Sequence, residues 1–177
     1  MAWRSVMRES EVYERVGGFK DMYGEDIDLS LRIHQAGFTT HLYRDAYVYH
    51  KRRGNLRKFF RQVHIFGQAR INLFKLYPDS LKAVHTLPAV FVLGSVSVLV
   101  CAVLLSPWWL LLPAFYLVLL FVDALIKTRN LSIALRAVVA SLIQIYGYGL
   151  GFLRSFVDKI ILRHGLEDLE TLKRVYK

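Results

Sequence analysis

Three carboxylates fall within four residues at Glu25-Asp26-Ile27-Asp28, after the glycines Gly17-Gly18 and Gly24 and just before Leu29-Ser30-Leu31-Arg32. Such a cluster has two physical uses. At a helix start, carboxylates satisfy free backbone N–H groups and oppose the positive end of the helix dipole. That use suits Asp28, which stands at the head of an amphipathic run and is the expected cap. Glu25 and Asp26 then precede the helix, next to a loop over 20–25. Adjacent carboxylates repel, so keeping them together points to a cation, a basic partner or a proton-accepting role. Residue types alone leave both uses open.

The acidic cluster needs elements to hold it. Val12 and Val16, four apart, predict a short helix over 9–16, ended by Gly17-Gly18. Leu29, Leu31, Ile33 and Ala36 predict a helix from Asp28 that stops at Gly37. Phe38 to His50, rich in Thr, Tyr and Val, reads as one or two strands, followed by the basic turn Lys51-Arg52-Arg53-Gly54. A helix over Leu56–Leu76 follows and is closed by Tyr77-Pro78.

From Leu87 the character changes. Leu87 to Leu105 carries no charge, nor does Trp108 to Val122, and Ser106-Pro107 with Trp108-Trp109 between them predicts a tight hairpin with aromatic residues at a membrane interface. A third apolar segment, 131–153, is interrupted by Arg136 and Gln144 and flanked by Lys127 and Arg129 on one side and Arg154, Lys159 and Arg163 on the other. If it spans, one basic flank lies on the wrong side for the positive-inside rule; a re-entrant or interfacial helix removes the conflict. Gly147 and Gly151, four apart, would admit another helix at close range, while Gly149 equally suits a loosely packed helix end. The division is therefore 1–86 soluble, with an interfacial helix; 87–153 membrane, with spans 87–106 and 107–126 and a third or re-entrant segment 131–153; and 154–177 a cytosolic amphipathic tail.

Lys and Arg number 24 against 14 Asp and Glu, a net charge of +10. That excess suits nucleic acid, anionic lipid or phosphate-bearing substrates, and the apolar runs favour the last two over nucleic acid. The single cysteine, Cys101, excludes an intramolecular disulfide and a Cys-rich zinc site. Residues 1–15 lack the apolar core of a signal peptide, so insertion is expected through internal segments.

The run from Met1 to about Arg70 resembles the C-terminal part of the catalytic domain of family 2 glycosyltransferases, which have the GT-A fold. The resemblance rests on Met1-Ala2-Trp3-Arg4, Val16-Gly17-Gly18-Phe19, Gly24-Glu25-Asp26-Ile27-Asp28-Leu29-Ser30-Leu31-Arg32, Ala36-Gly37-Phe38 and Val48-Tyr49-His50, in that order and at that spacing. It implies an α/β fragment followed by an α-helical membrane region. It implies an inverting, hexosyltransferase-type transfer from a nucleotide-sugar to a lipid-linked or saccharide acceptor. The catalytic part would be cytosolic at a bacterial inner or plasma membrane, serving cell-surface polysaccharide or glycolipid synthesis. On this resemblance Asp26 is the general base and Glu25 contacts acceptor or positions the loop. Gly17, Gly18, Asp28, Arg32, Arg52, Gln62 and Arg70 are candidates for acceptor or donor contacts. His50 is a candidate ligand for a divalent metal, Mg or Mn.

Processive members of the family carry Gln-x-x-Arg-Trp after the core, whereas Gln62-Val63-His64-Ile65-Phe66 here lacks the Arg-Trp pair. The segment is expected to lie on the membrane surface, anchored by Phe59, Phe60, Ile65 and Phe66, with Arg57, Lys58 and Arg61 toward lipid phosphates. The family's separate Asp-x-Asp motif for metal and diphosphate has no counterpart, because Asp26-Ile27-Asp28 belongs to the other motif. The chain therefore corresponds to the acceptor-side part of such an enzyme and is expected to be inactive alone. The alternative is a non-catalytic membrane protein or an inactive remnant.

Overall fold

The computed structural model describes residues 9–40, 49 and 55–164. Among these residues every regular element is helical, which corrects the expected α/β fragment. Phe38–Thr40 and Tyr49, the described part of the segment expected to form strands, are irregular, and the remainder of that segment lies outside the described residues. A strand needs a neighbour to satisfy its backbone groups, and the described residues offer none; they bury their apolar faces helix against helix instead.

Two short helices come first, α1 (Glu9–Arg15) and α2 (Glu25–Gln35). Then comes the long α3 (Leu56–Leu76), started by Asn55, whose side chain accepts a hydrogen bond from the Arg57 N–H, and ended at Tyr77-Pro78, where proline forbids continuation. Two single turns, Pro78–Ser80 and Ala83–His85, lead into α4 (Leu87–Leu104). The turn Pro107–Leu110, capped by the Ser106 hydroxyl, opens α5 (Leu111–Thr128), and α6 (Leu131–Phe156) follows, capped by Asn130 and continued by a wider turn over Val157–Ile161. The Arg154–Lys177 tail expectation falls on the end of α6, this turn and residues outside the described set.

The helices α4, Pro107–Thr128 and Leu131–Ile161 are each long and apolar enough to cross a membrane. Eighteen residues of helix rise about 27 Å, close to the thickness of a hydrocarbon core. Their apolar side chains are largely uncovered: Val103 is 83% exposed, Trp108 76% and Ile126 70%. In water such a surface would drive aggregation, whereas in lipid it is the ground state.

Four glycines decide how α6 packs. A Cβ on Gly67 of α3 would strike the Tyr148 carbonyl oxygen, and one on Gly151 would strike the His64 carbonyl oxygen. One on Gly147 would come within 2.5 Å of Val63 Cγ2. The pairs Val63/Gly147, His64/Gly151, Gln68/Ser155 and Asn72/Lys159 run upward together, so α3 and the second half of α6 lie side by side in the same direction. Gly149, on the other side of α6, meets the Pro88 carbonyl and Val92 of α4, so it is a contact point and not a loose end. Ile71, Ala89 and Phe152 close the core where the three helices meet. A cleft of about 340 Å³ between α4, α5 and α6 is lined by Phe91, Leu99, Leu112, Tyr116 and Tyr146.

Candidate active site

The acidic cluster is split by the fold. Helix α2 begins at Glu25, not Asp28, because Gly24 takes a left-handed turn (φ 90°) and its carbonyl accepts the Asp28 N–H at 3.0 Å. Asp28 is therefore not the cap; no side chain caps this helix. Glu25 and Asp26 occupy the first turn, exposed, where unpaired N–H groups and the helix dipole favour negative charge. Asp28 points the other way and is fully buried.

Burying a carboxylate is tolerable only when it is paired and its oxygens are hydrogen-bonded. Asp28 meets that condition with three partners. One oxygen accepts from Lys20 Nζ at 3.2 Å and from the Tyr77 hydroxyl at 2.8 Å. The other accepts from Arg32 Nε at 2.9 Å and Nη2 at 2.7 Å. The Arg32 guanidinium then continues to the Gly18 carbonyl at 2.6 Å and to the Val16 carbonyl. A single fork thus ties α2 to the glycine turn, and Asp28 ties both to the end of α3. Burial and the neighbouring Asp28 carboxylate push the Tyr77 phenol well above its ordinary value, keeping it a donor.

The glycine turn is shaped for this. Gly18 has φ 64°, and a Cβ there would lie 2.9 Å from the Tyr13 hydroxyl, which accepts the Phe19 N–H at 3.2 Å. Gly24 rests on Ala69 and Leu73 of α3. The result is a fixed acidic turn seated on the last turns of α3, a short connection from the start of α4.

Of the residues singled out by sequence, the structure brings together Gly18, Asp28 and Arg32 directly, with Glu25 and Asp26 held by them. Gln62 and Arg70 are half-buried on α3. Arg70 follows Ala69 directly, while Gln62 sits about 10 Å further along the axis. Burial first, and then the neighbouring Arg70 and Lys82 cations, hold the His85 imidazole below its usual range. His50 and Arg52 lie outside the described residues. Sequence reasoning missed Lys20 and Tyr77: neither lies at a helical spacing from Asp28, and Tyr77 read as a helix stop. No three His, Cys, Asp or Glu side chains gather among the described residues, and His50, the expected ligand of a divalent ion, lies outside them.

A family model described as glycosyl transferase family group 2 matches residues 3–127, most of the chain. The chain belongs to that family. Neither a curated protein nor a solved structure gives a match. In this glycosyl transferase family member the matched stretch holds the acidic turn, its Asp28 support and α3 to α5, and it ends in the last turn of α5, before α6.

Proposed function

We propose that the chain provides the acceptor side of a membrane-anchored inverting glycosyltransferase. It would carry a sugar from a nucleotide-sugar to a lipid-linked or saccharide acceptor in cell-surface polysaccharide or glycolipid synthesis. The observation that carries this reading is the exposed Glu25–Asp26 turn, locked by Asp28 to the end of α3, next to where the apolar helices begin. Asp26 accepts the acceptor hydroxyl's proton as that oxygen attacks the anomeric carbon, and the nucleoside diphosphate leaves from the opposite face. Glu25 contacts the acceptor or steadies the turn.

A rigid turn suits this task, because a base contributes only within hydrogen-bond reach of the proton it takes. The exposed Arg57, Lys58 and Arg61 of α3 are suited to a phosphate-rich cytosolic membrane face, where lipid-linked acceptors present their head groups. The test is to incubate membranes of cells making the protein from its native gene with radiolabelled nucleotide-hexoses, then separate lipid-extractable from polymeric product. Label in either fraction, absent from membranes of a deletion strain, supports the reading. No protein-dependent label in either fraction overturns it.

A further inference from the structure

The chain from Pro88 to Gly149 closes on itself. Pro88 stands in the first turn of α4, and Gly149 touches its carbonyl across a glycine contact, with Val92 Cγ2 2.7 Å from where a Cβ would be. Three helices lie between these two residues, each long and apolar enough to cross a bilayer. A circuit that returns to its starting point crosses a bilayer an even number of times. Three crossings would leave Gly149 about 27 Å from Pro88, on the opposite face. One of the three helices therefore does not cross.

The residues say which. Mean hydropathy is 2.5 for α4 and 2.3 for Pro107–Thr128, but 1.5 for the α6 segment. The only charges in α4 and α5 are Asp123 and Lys127, paired at 2.8 Å in the last turns of α5. Helix α6 carries Arg136 and Gln144 in its body and basic residues at both ends, a pattern that satisfies the positive-inside rule only if both ends share a face. Beyond Gly149, α6 runs on beside the start of α4 and along α3, with Phe152 against Ala89 and Lys159 on Asn72.

We infer that α6 begins and ends on the membrane face where α4 begins, and that with α3 it forms a platform whose partner is the lipid headgroup layer. Leu131, Leu135 and Val139 follow one another at four-residue spacing and are exposed, an apolar stripe for the acyl boundary. On α3, Phe60 and Phe66 are exposed beside Arg57, Lys58 and Arg61. The acidic turn then sits on the same face as both ends of α6.

The full chain carrying Cys101→Ser provides a cysteine-free background. Thr128→Cys, Leu162→Cys and Leu105→Cys are added one at a time, all at exposed positions, and sealed membrane vesicles of each orientation are treated with a membrane-impermeant maleimide. Cysteines at positions 128 and 162 are expected to label from one side and that at 105 from the other. Labelling of 128 and 162 from opposite sides would overturn the inference for α6. Labelling of all three from one side would overturn it by removing the crossing hairpin.

Discussion

Replacing Asp28 by alanine isolates what the buried network does. Asp28 is fully buried, and the Lys20 and Arg32 side chains it neutralises are only 4% and 9% exposed. The substitution takes from the buried Arg32 and Lys20 side chains the carboxylate they share and from the Tyr77 hydroxyl its acceptor, the situation in which breaking a buried pair costs about 3–5 kcal/mol. The network joins α2 and the glycine turn to α3 and touches none of α4, α5 or α6, so the loss falls on local opening of residues 16–37 and not on the whole molecule. Hydrogen exchange reads this directly. At about 1.4 kcal/mol per decade, protection of the α2 amides falls by about two to four decades, or to the unprotected rate if that is reached first, while the core amides of α4 to α6 are unchanged. Asp28→Asn keeps an acceptor but not the charge and falls between. Wild-type protection of α2 in Asp28→Ala would refute the claim that this carboxylate holds the acidic turn in place.

Three further outcomes follow from the same geometry. Tyr77→Phe removes one hydrogen bond to a buried carboxylate and costs about 1.5–3 kcal/mol of α2 protection in the same exchange measurement. Because the Tyr77 proton is held more tightly in the folded protein than its ordinary value of 10 allows, its contribution is intact below pH 10 and is lost as pH rises above it; Tyr77→Phe should flatten the alkaline rise of proteolytic cutting within residues 16–37. Gly67→Ala puts a methyl group into the Tyr148–Phe152 backbone and should destabilise by about 1–3 kcal/mol or more in a detergent melt, whereas Gly94→Ala, where a Cβ meets nothing, should not.

How far the chain could be read from its residues depended on what kind of force shapes each element. The ends of α3 were legible because proline after Tyr77 forbids continuation and the apolar period stops there. The close approach at Gly147 and Gly151 was legible because only small residues four apart permit it. The start of α2 was not: a periodicity of apolar residues cannot register a carboxylate buried by ion pairing, so Asp28 read as a cap and the true first turn, Glu25–Asp26, read as preceding the helix. Lys20 and Tyr77 come from a loop and a helix end, and nothing in their neighbours marks them as partners of Asp28. The strands over 38–50 were read from composition; of that segment only Phe38–Thr40 and Tyr49 are described, without regular structure, and the elements described around them are helices. Length and hydropathy admitted a third span, its basic flanks already favoured a re-entrant or interfacial helix, and the contact between Gly149 and Pro88 adds the geometric argument.

The central claim is that Asp26 does chemistry while Asp28 does support. It is tested by measuring sugar transfer from radiolabelled nucleotide-hexoses in membranes whose native gene carries Asp26→Asn, with α2 exchange protection measured on the same variant. The account predicts transfer reduced about 10²–10⁴-fold, the ordinary worth of a general base, with protection of α2 intact because the Asp26 side chain is exposed. Wild-type rates in Asp26→Asn membranes would contradict it.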